Sequence, residues 1–121
     1  CLNAHNKAID YLLNNQNPSN PKNPDEFNVG TYYVENETDE RLFAYSVAYK
    51  LTRDNKYKEL CKSLLETGVD SDNMVANCRT YAYIVLLDSL EYNSKEYVQV
   101  KERLKLDCDA ICDGVSSNVY A

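Results

Sequence analysis

Tryptophan is absent from this chain, histidine occurs once, and glycine and proline occur three times each in 121 residues. Each scarcity excludes something. An all-β chain needs turn residues every ~8–12 positions. Here Pro18, Pro21 and Pro24 share one stretch, and the rest of the chain carries few helix breakers. A Ser/His/Asp or Cys/His unit needs a histidine beside its nucleophile. His5 is the only one, near Asn3 and Asn6, and it reads as a surface residue. No glycine-rich phosphate loop is present. Basic residues are outnumbered 13 to 19, for a net charge of −6. That balance disfavours nucleic acid, which demands a basic footprint, and it disfavours anionic lipid surfaces. The longest apolar run, Tyr81 to Leu87, falls far short of the ~20 residues of a transmembrane helix.

What is present is ordinary in bulk. Apolar residues are 44 % and charged residues 26 %, the composition of a globular domain large enough to build a core. The expectation is one helical domain over 1–121, with an Asn/Pro-rich loop at 16–37 and a tail at 115–121. The chain begins at Cys1 rather than Met, as a processed protein or a piece of a longer one does.

Five helices are legible. Ala8, Ile9, Leu12 and Leu13 form one apolar stripe within 2–15. The Asn/Pro-rich stretch from Pro18 to Gly30 cannot sustain a helix, and Phe27 to Val34 reads as a short extended segment. Thr38 is the expected cap of the second helix, with Asp39 and Glu40 in its first turn. Leu42, Phe43, Ala44, Val47, Ala48 and Leu51 leave that helix little polar face. Asp54 caps the third, whose stripe is Tyr57, Leu60, Cys61, Leu64 and Leu65, and Gly68 ends it. Ser71 or Asp72 caps the fourth. Its two stripes are Met74, Cys78, Tyr81, Ala82 and Val85, and Ile84, Leu86, Leu87 and Leu90, and this helix is the expected centre. Ser94 caps the fifth, which carries Tyr97, Val100 or Lys101, Leu104, Cys108 and Ile111, with Gly114 as its end. Short links make antiparallel neighbours. The fold class is therefore all-α, with about five helices in antiparallel hairpins, as a bundle or a partial α/α toroid.

Four of the five cysteines fall on these stripes: Cys61, Cys78, Cys108 and Cys112. Counted from the turns, Cys61, Cys78 and Cys108 share one layer of three helices, with Cys112 one turn further on. Three readings compete. Two disulfides among the four imply an oxidising compartment. A Cys108–Cys112 bridge is disfavoured by i,i+4 geometry on one helix, which leaves Cys61 and Cys78 each to pair with Cys108 or Cys112. Buried free thiols in a cytosolic core are the second reading. A four-thiolate metal site is the third, against which stands the lack of paired C-x2–4-C knuckles. Cys1 is the odd one out. It reads as a lipid anchor, an intermolecular thiol or a point of cleavage. Asn36-Glu37-Thr38 is a glycosylation sequon.

Acids and tyrosines carry the remaining chemistry. Tyr32, Tyr33, Glu35, Asp39 and Glu40 cluster at a helix entrance, a candidate ligand face. Paired carboxylates beside aromatic platforms hydrolyse glycosides. Helix capping and solvation explain the same residues without catalysis. The eleven tyrosines serve a protein or glycan surface, or fill helix interfaces with hydroxyls in water. Asp107, Asp109 and Asp113 lack the glycine and spacing of a calcium loop.

Ala8-Ile9-Asp10-Tyr11-Leu12-Leu13-Asn14-Asn15-Gln16 resembles a hairpin helix of α/α-toroid proteins. Asp39 to Ala44, through Leu51-Thr52-Arg53-Asp54-Asn55-Lys56-Tyr57, is similar to their recurring helix–turn–helix, with Arg53 in place of the usual turn glycine. The family includes six-hairpin glycosidases and polysaccharide lyases. The resemblance covers about a third of the chain, which is too short for six hairpins, and it places no catalytic residue. It implies a toroid-like hairpin stack, a relic or a fragment.

The resulting expectation is a non-catalytic helical module, extracellular or on the cell envelope, without a cofactor. Its role is to bind protein or glycan or to self-assemble. A fragment of a carbohydrate-active toroid enzyme and an intracellular thiol-rich metal-binding bundle are the alternatives.

Overall fold

A computed structural model describes residues 2–15, 37–69 and 78–116. Among them are five α-helices and no strands: α1 (Leu2–Asn14), α2 (Thr38–Thr52), α3 (Asn55–Thr67), α4 (Cys78–Leu87) and α5 (Lys95–Ser116). The all-α expectation holds. No described helix is long and apolar enough to cross a membrane.

Local chemistry sets most of the boundaries. The Asp54 carboxylate accepts from the Lys56 amide and caps α3, filling one of the orphan donors of a helix start. The Ser94 hydroxyl does the same for the Tyr97 amide at 3.2 Å in α5. Gly68 ends α3 at φ 96°, a conformation that glycine adopts without steric cost. Two boundaries depart from expectation. Thr38 lies inside α2, whose N-cap is Glu37 with no side-chain cap. α5 runs through Gly114 to Ser116, because a glycine ends a helix only where the following chain turns back. Ser71, Asp72, Met74, Phe27, Val29 and the tail beyond Ser116 lie outside the described residues.

α2 is the hub, packed on α1, α3 and α4, while α4 also packs on α5. The expected centre, α4, therefore shares its place with α2. Helix directions follow from paired residues. Phe43 meets Tyr81 with ring centroids 6.2 Å apart, and Lys50 pairs with Asp88 at 2.7 Å. Both partners advance together, so α2 and α4 are parallel. Leu42, Tyr45, Ala48, Tyr57, Cys61, Leu65, Ala82, Tyr83, Leu86 and Val100 are buried in one cluster with Ile9. The buried face of α4 is thus Ala82, Tyr83 and Leu86, while Tyr81 and Ile84 face solvent. Three tyrosines (Tyr45, Tyr57 and Tyr83) are core residues, and Tyr11, Tyr81 and Tyr92 are exposed.

All four arginines reach a carbonyl at or just beyond a helix end. Arg41 donates to Leu12 O at 2.7 Å and to Asn15 O at the end of α1. Arg103 donates to Leu65 O at 2.7 Å in the last turn of α3. Arg79 donates to Val69 O at 3.0 Å. Arg53 donates to Ser89 O at 2.6 Å beyond α4. The last carbonyls of a helix have no partner within it, and these side chains supply one from another helix. Arg53 itself sits at φ 57°, a left-handed conformation that costs a non-glycine residue roughly 1–2 kcal/mol. Its side-chain bond to Ser89 offsets part of that cost and explains an arginine in a turn where glycine is usual.

Candidate functional site

The first turn of α2 brings acids against the end of α1. Asp39 is 3 % exposed and Arg41 7 %, unusual burial for charged side chains. Arg41 spends its guanidinium on the two α1 carbonyls and on Glu37, whose Oε2 lies 3.0 Å away. An open cavity of about 240 Å³ lies at this junction, lined by Leu12, Glu37, Glu40 and Arg41. Arg41 is the only cation among those lining residues, and it is already committed.

The Glu40 carboxyl is pushed up to about 7. Burial of the carboxyl is the largest cause, followed by its hydrogen bond with Asp39 and the negative charges of Asp39 and Glu37. A carboxyl beside a negative charge keeps its proton to higher pH, because a second negative charge there is repelled. By surface area Glu40 is exposed, so solvent screens part of this effect. The same acids act on Cys78, whose thiol is pushed up by burial first and then by the charges of Asp39 and Glu40. The starts of α2 and α4 therefore share one acidic neighbourhood.

Of the ligand face read from the sequence, Asp39 and Glu40 fall in this site, with Asp39 buried rather than presented. Tyr32, Tyr33, Glu35 and the sequon residue Asn36 lie outside the described residues, as does Cys1. Glu37 is one of the carboxylates read at the helix entrance and the middle residue of the sequon, and Leu12 is a stripe residue of α1, whereas Arg41 carries no sequence expectation. The signal for Arg41 was its place on the buried side of α2 between Asp39 and Leu42.

The shared buried layer of cysteines is not formed. Cys61 is buried, Cys78 half-buried, and Cys108 and Cys112 exposed. Counting from the turns assumed neighbours of equal length. α5 has 22 residues against 13 in α3 and 10 in the described part of α4, so its last turns outrun both. Among the described residues no disulfide pair is formed, and Cys61, Cys78 and Cys108 are free thiols. Burial pushes the Cys61 thiol up to about 12. Among the described residues no group of three His, Cys, Asp or Glu side chains is placed to hold a metal.

His5 is half-buried rather than on the open surface, and its Nε2 is shielded without a hydrogen-bond partner among the described residues. It does not line the cavity. A crevice between α3 and α5, lined by Lys58, Leu65, Glu96 and Gln99, holds only about 10 Å³, about one water at most.

No protein-family model, no curated protein and no solved structure matches this chain.

Proposed function

We propose that the chain is a non-catalytic binding module, secreted or displayed at the cell surface, whose cavity at the α1–α2 junction receives a cationic group such as the lysine or arginine side chain of a partner protein. The observation that carries this reading is the cavity's charge. Glu37 and Glu40 line it, and Arg41, the one cation among its described lining residues, is held by α1 and Glu37. A ligand cation supplies the missing positive charge. Leu12 on the wall suits the aliphatic stem of such a side chain.

The carboxyl geometry supports binding over hydrolysis. Glycoside hydrolysis needs two carboxyls open to the sugar on either side of the scissile bond, whereas Asp39 is buried and Glu37 is tied to Arg41. A fragment of a toroid-like hairpin stack remains the second reading, favoured by the parallel packing of α2 on α4. Placement outside the cell rests on the five cysteines of the sequence and not on any bridge among the described residues. Alkylation of native material before and after reduction tests it, with labelling of Cys61 in unfolded protein only after reduction as the supporting result.

The binding reading is tested by a two-dimensional NMR titration with Nα-acetyl-lysine methylamide at pH 8 and pH 5.5. The expected result is saturable shifts at Leu12, Glu37, Glu40 and Arg41 at pH 8, weaker at pH 5.5 and reduced in Glu40→Gln. Equal shifts from the neutral norleucine analogue, or shifts scattered over the surface, would overturn it.

A further inference from the structure

Glu40, which lines the acidic cavity, lies at helical spacing from Phe43, Val47 and Leu51 (i+3, i+7 and i+11) and so shares one face of α2 with them. α2 is apolar on both sides. Opposite its buried face it carries Phe43, Val47 and Leu51, the first two half-buried and Leu51 61 % exposed. α4 likewise turns Tyr81 (58 % exposed) and Ile84 (51 %) outward, away from its buried Ala82, Tyr83 and Leu86. The two helices are parallel, and the Phe43–Tyr81 ring contact joins these outward faces edge to edge. One apolar strip therefore crosses both helices.

The strip has a polarity. At the α2 start it reaches Glu40, whose charge and that of Asp39 also act on Cys78 of α4. At the α2 end Lys50 and Asp88 neutralise each other at 2.7 Å. From Glu40 to Leu51 the helix rises about 16 Å, the reach of roughly five residues of extended chain.

We propose that the cavity and this strip form one docking surface for an extended segment of a partner protein that carries a lysine or arginine followed by large apolar side chains at alternate positions. This rests on the binding reading above and names the rest of the partner. Charge selects a partner over a second copy. The chain carries a net charge of −6, which opposes the pairing of two copies through an acidic cavity. In an extended segment alternate side chains share one face, so a basic residue and two apolar ones at i, i+2 and i+4 reach the cavity and the strip together.

The probes are acetyl-Lys-Gly-Leu-Gly-Phe-amide and its counterpart with serine for leucine and phenylalanine, titrated by calorimetry. The apolar peptide is expected to bind at least about tenfold more tightly. Ile84→Asp, at an exposed position that leaves helicity intact by circular dichroism, removes that gain but leaves binding of Nα-acetyl-lysine methylamide unchanged. Glu40→Gln weakens both peptides. Equal affinities, or a gain that survives Ile84→Asp, overturn the strip. An apolar gain without any binding of the lysine probe overturns the basic end and, with it, the cationic reading of the cavity. A wild-type dimer in sedimentation that Ile84→Asp dissociates also overturns the proposal, since a second copy then covers the strip.

Discussion

Replacing Arg41 with alanine detaches α1. Three bonds are lost, to Leu12 O, Asn15 O and Glu37 Oε2. A hydrogen bond from a charged donor contributes about 1.5–3 kcal/mol. The three do not add, because Asn15 is exposed and its carbonyl recovers water. Glu37 also keeps some solvent, so its lost partner adds at most about 1 kcal/mol. The net cost is about 2–3 kcal/mol. With a urea dependence of about 1.5 kcal/mol per molar, the midpoint falls by roughly 1.5–2 M. α1 packs chiefly on α2, so the loss is also local. Amide exchange should accelerate in Leu2–Asn14 well before it does in α3 or α5. Arg41→Lys should recover less than half the loss, because an ammonium on one stem does not span two carbonyls as the guanidinium fork does. A midpoint shift below about 0.3 M, or exchange that speeds uniformly over all helices, would refute the assignment of Arg41 as the clamp on α1.

Glu40 gives a pH prediction. Its folded value near 7 lies above the ordinary 4.5, so the folded state holds the extra proton between those values. Its contribution to stability is therefore greatest below about pH 4.5 and declines as pH rises through 7. Glu40→Gln should be more stable than the parent at pH 8 and equal to it below pH 4.5, as read by denaturant melts at both pH values. The thiols of reduced protein should separate by burial. Cys108 reacts with a disulfide reagent at pH 8 within the mixing period, whereas Cys61, buried with its thiol near 12, reacts only as fast as the protein unfolds; peptide mapping by mass spectrometry tells them apart. Leu42→Ala empties a fully buried site and should cost about 2–5 kcal/mol. Ile111→Ala, at 61 % exposure, should stay within about 0.5 kcal/mol, and chemical denaturation measures both.

The helices were legible because their determinants are local. Tyr57, Cys61 and Leu65 sit at i, i+4 and i+8, and all three are buried. Asp54 and Ser94 are short polar residues just ahead of apolar runs, and both cap. What failed depends on contacts distant in sequence. The burial of Arg41 is set by carbonyls 26 and 29 residues away, which no spacing within α2 reports. The faces of α4 were misassigned because Tyr81 and Tyr83 are both good interface residues, and only the position of α2 decides which turns inward. The cysteine layer failed because a count from a turn predicts level neighbours only while both helices persist. The acidic entrance to α2 was half legible. Asp39 and Glu40 were visible as acids in a first turn, but the cavity, walled on one side by Leu12, exists only once α1 is docked.

The four helix-end arginines have a further consequence for how this sequence can vary. Lysine and arginine are often exchanged on protein surfaces at little cost. Here the described lysines are exposed or half-exposed, so exchange from lysine to arginine is tolerated at those positions. The reverse is not. Lysine keeps the charge of arginine but not its planar fork, and each such change frees a carbonyl at or just beyond a helix end: α1 for position 41, α3 for 79 and 103, and α4 for 53. The fold is thus tolerant in one direction and brittle in the other, and a variant library scored for folding should show that asymmetry at positions 41, 53, 79 and 103.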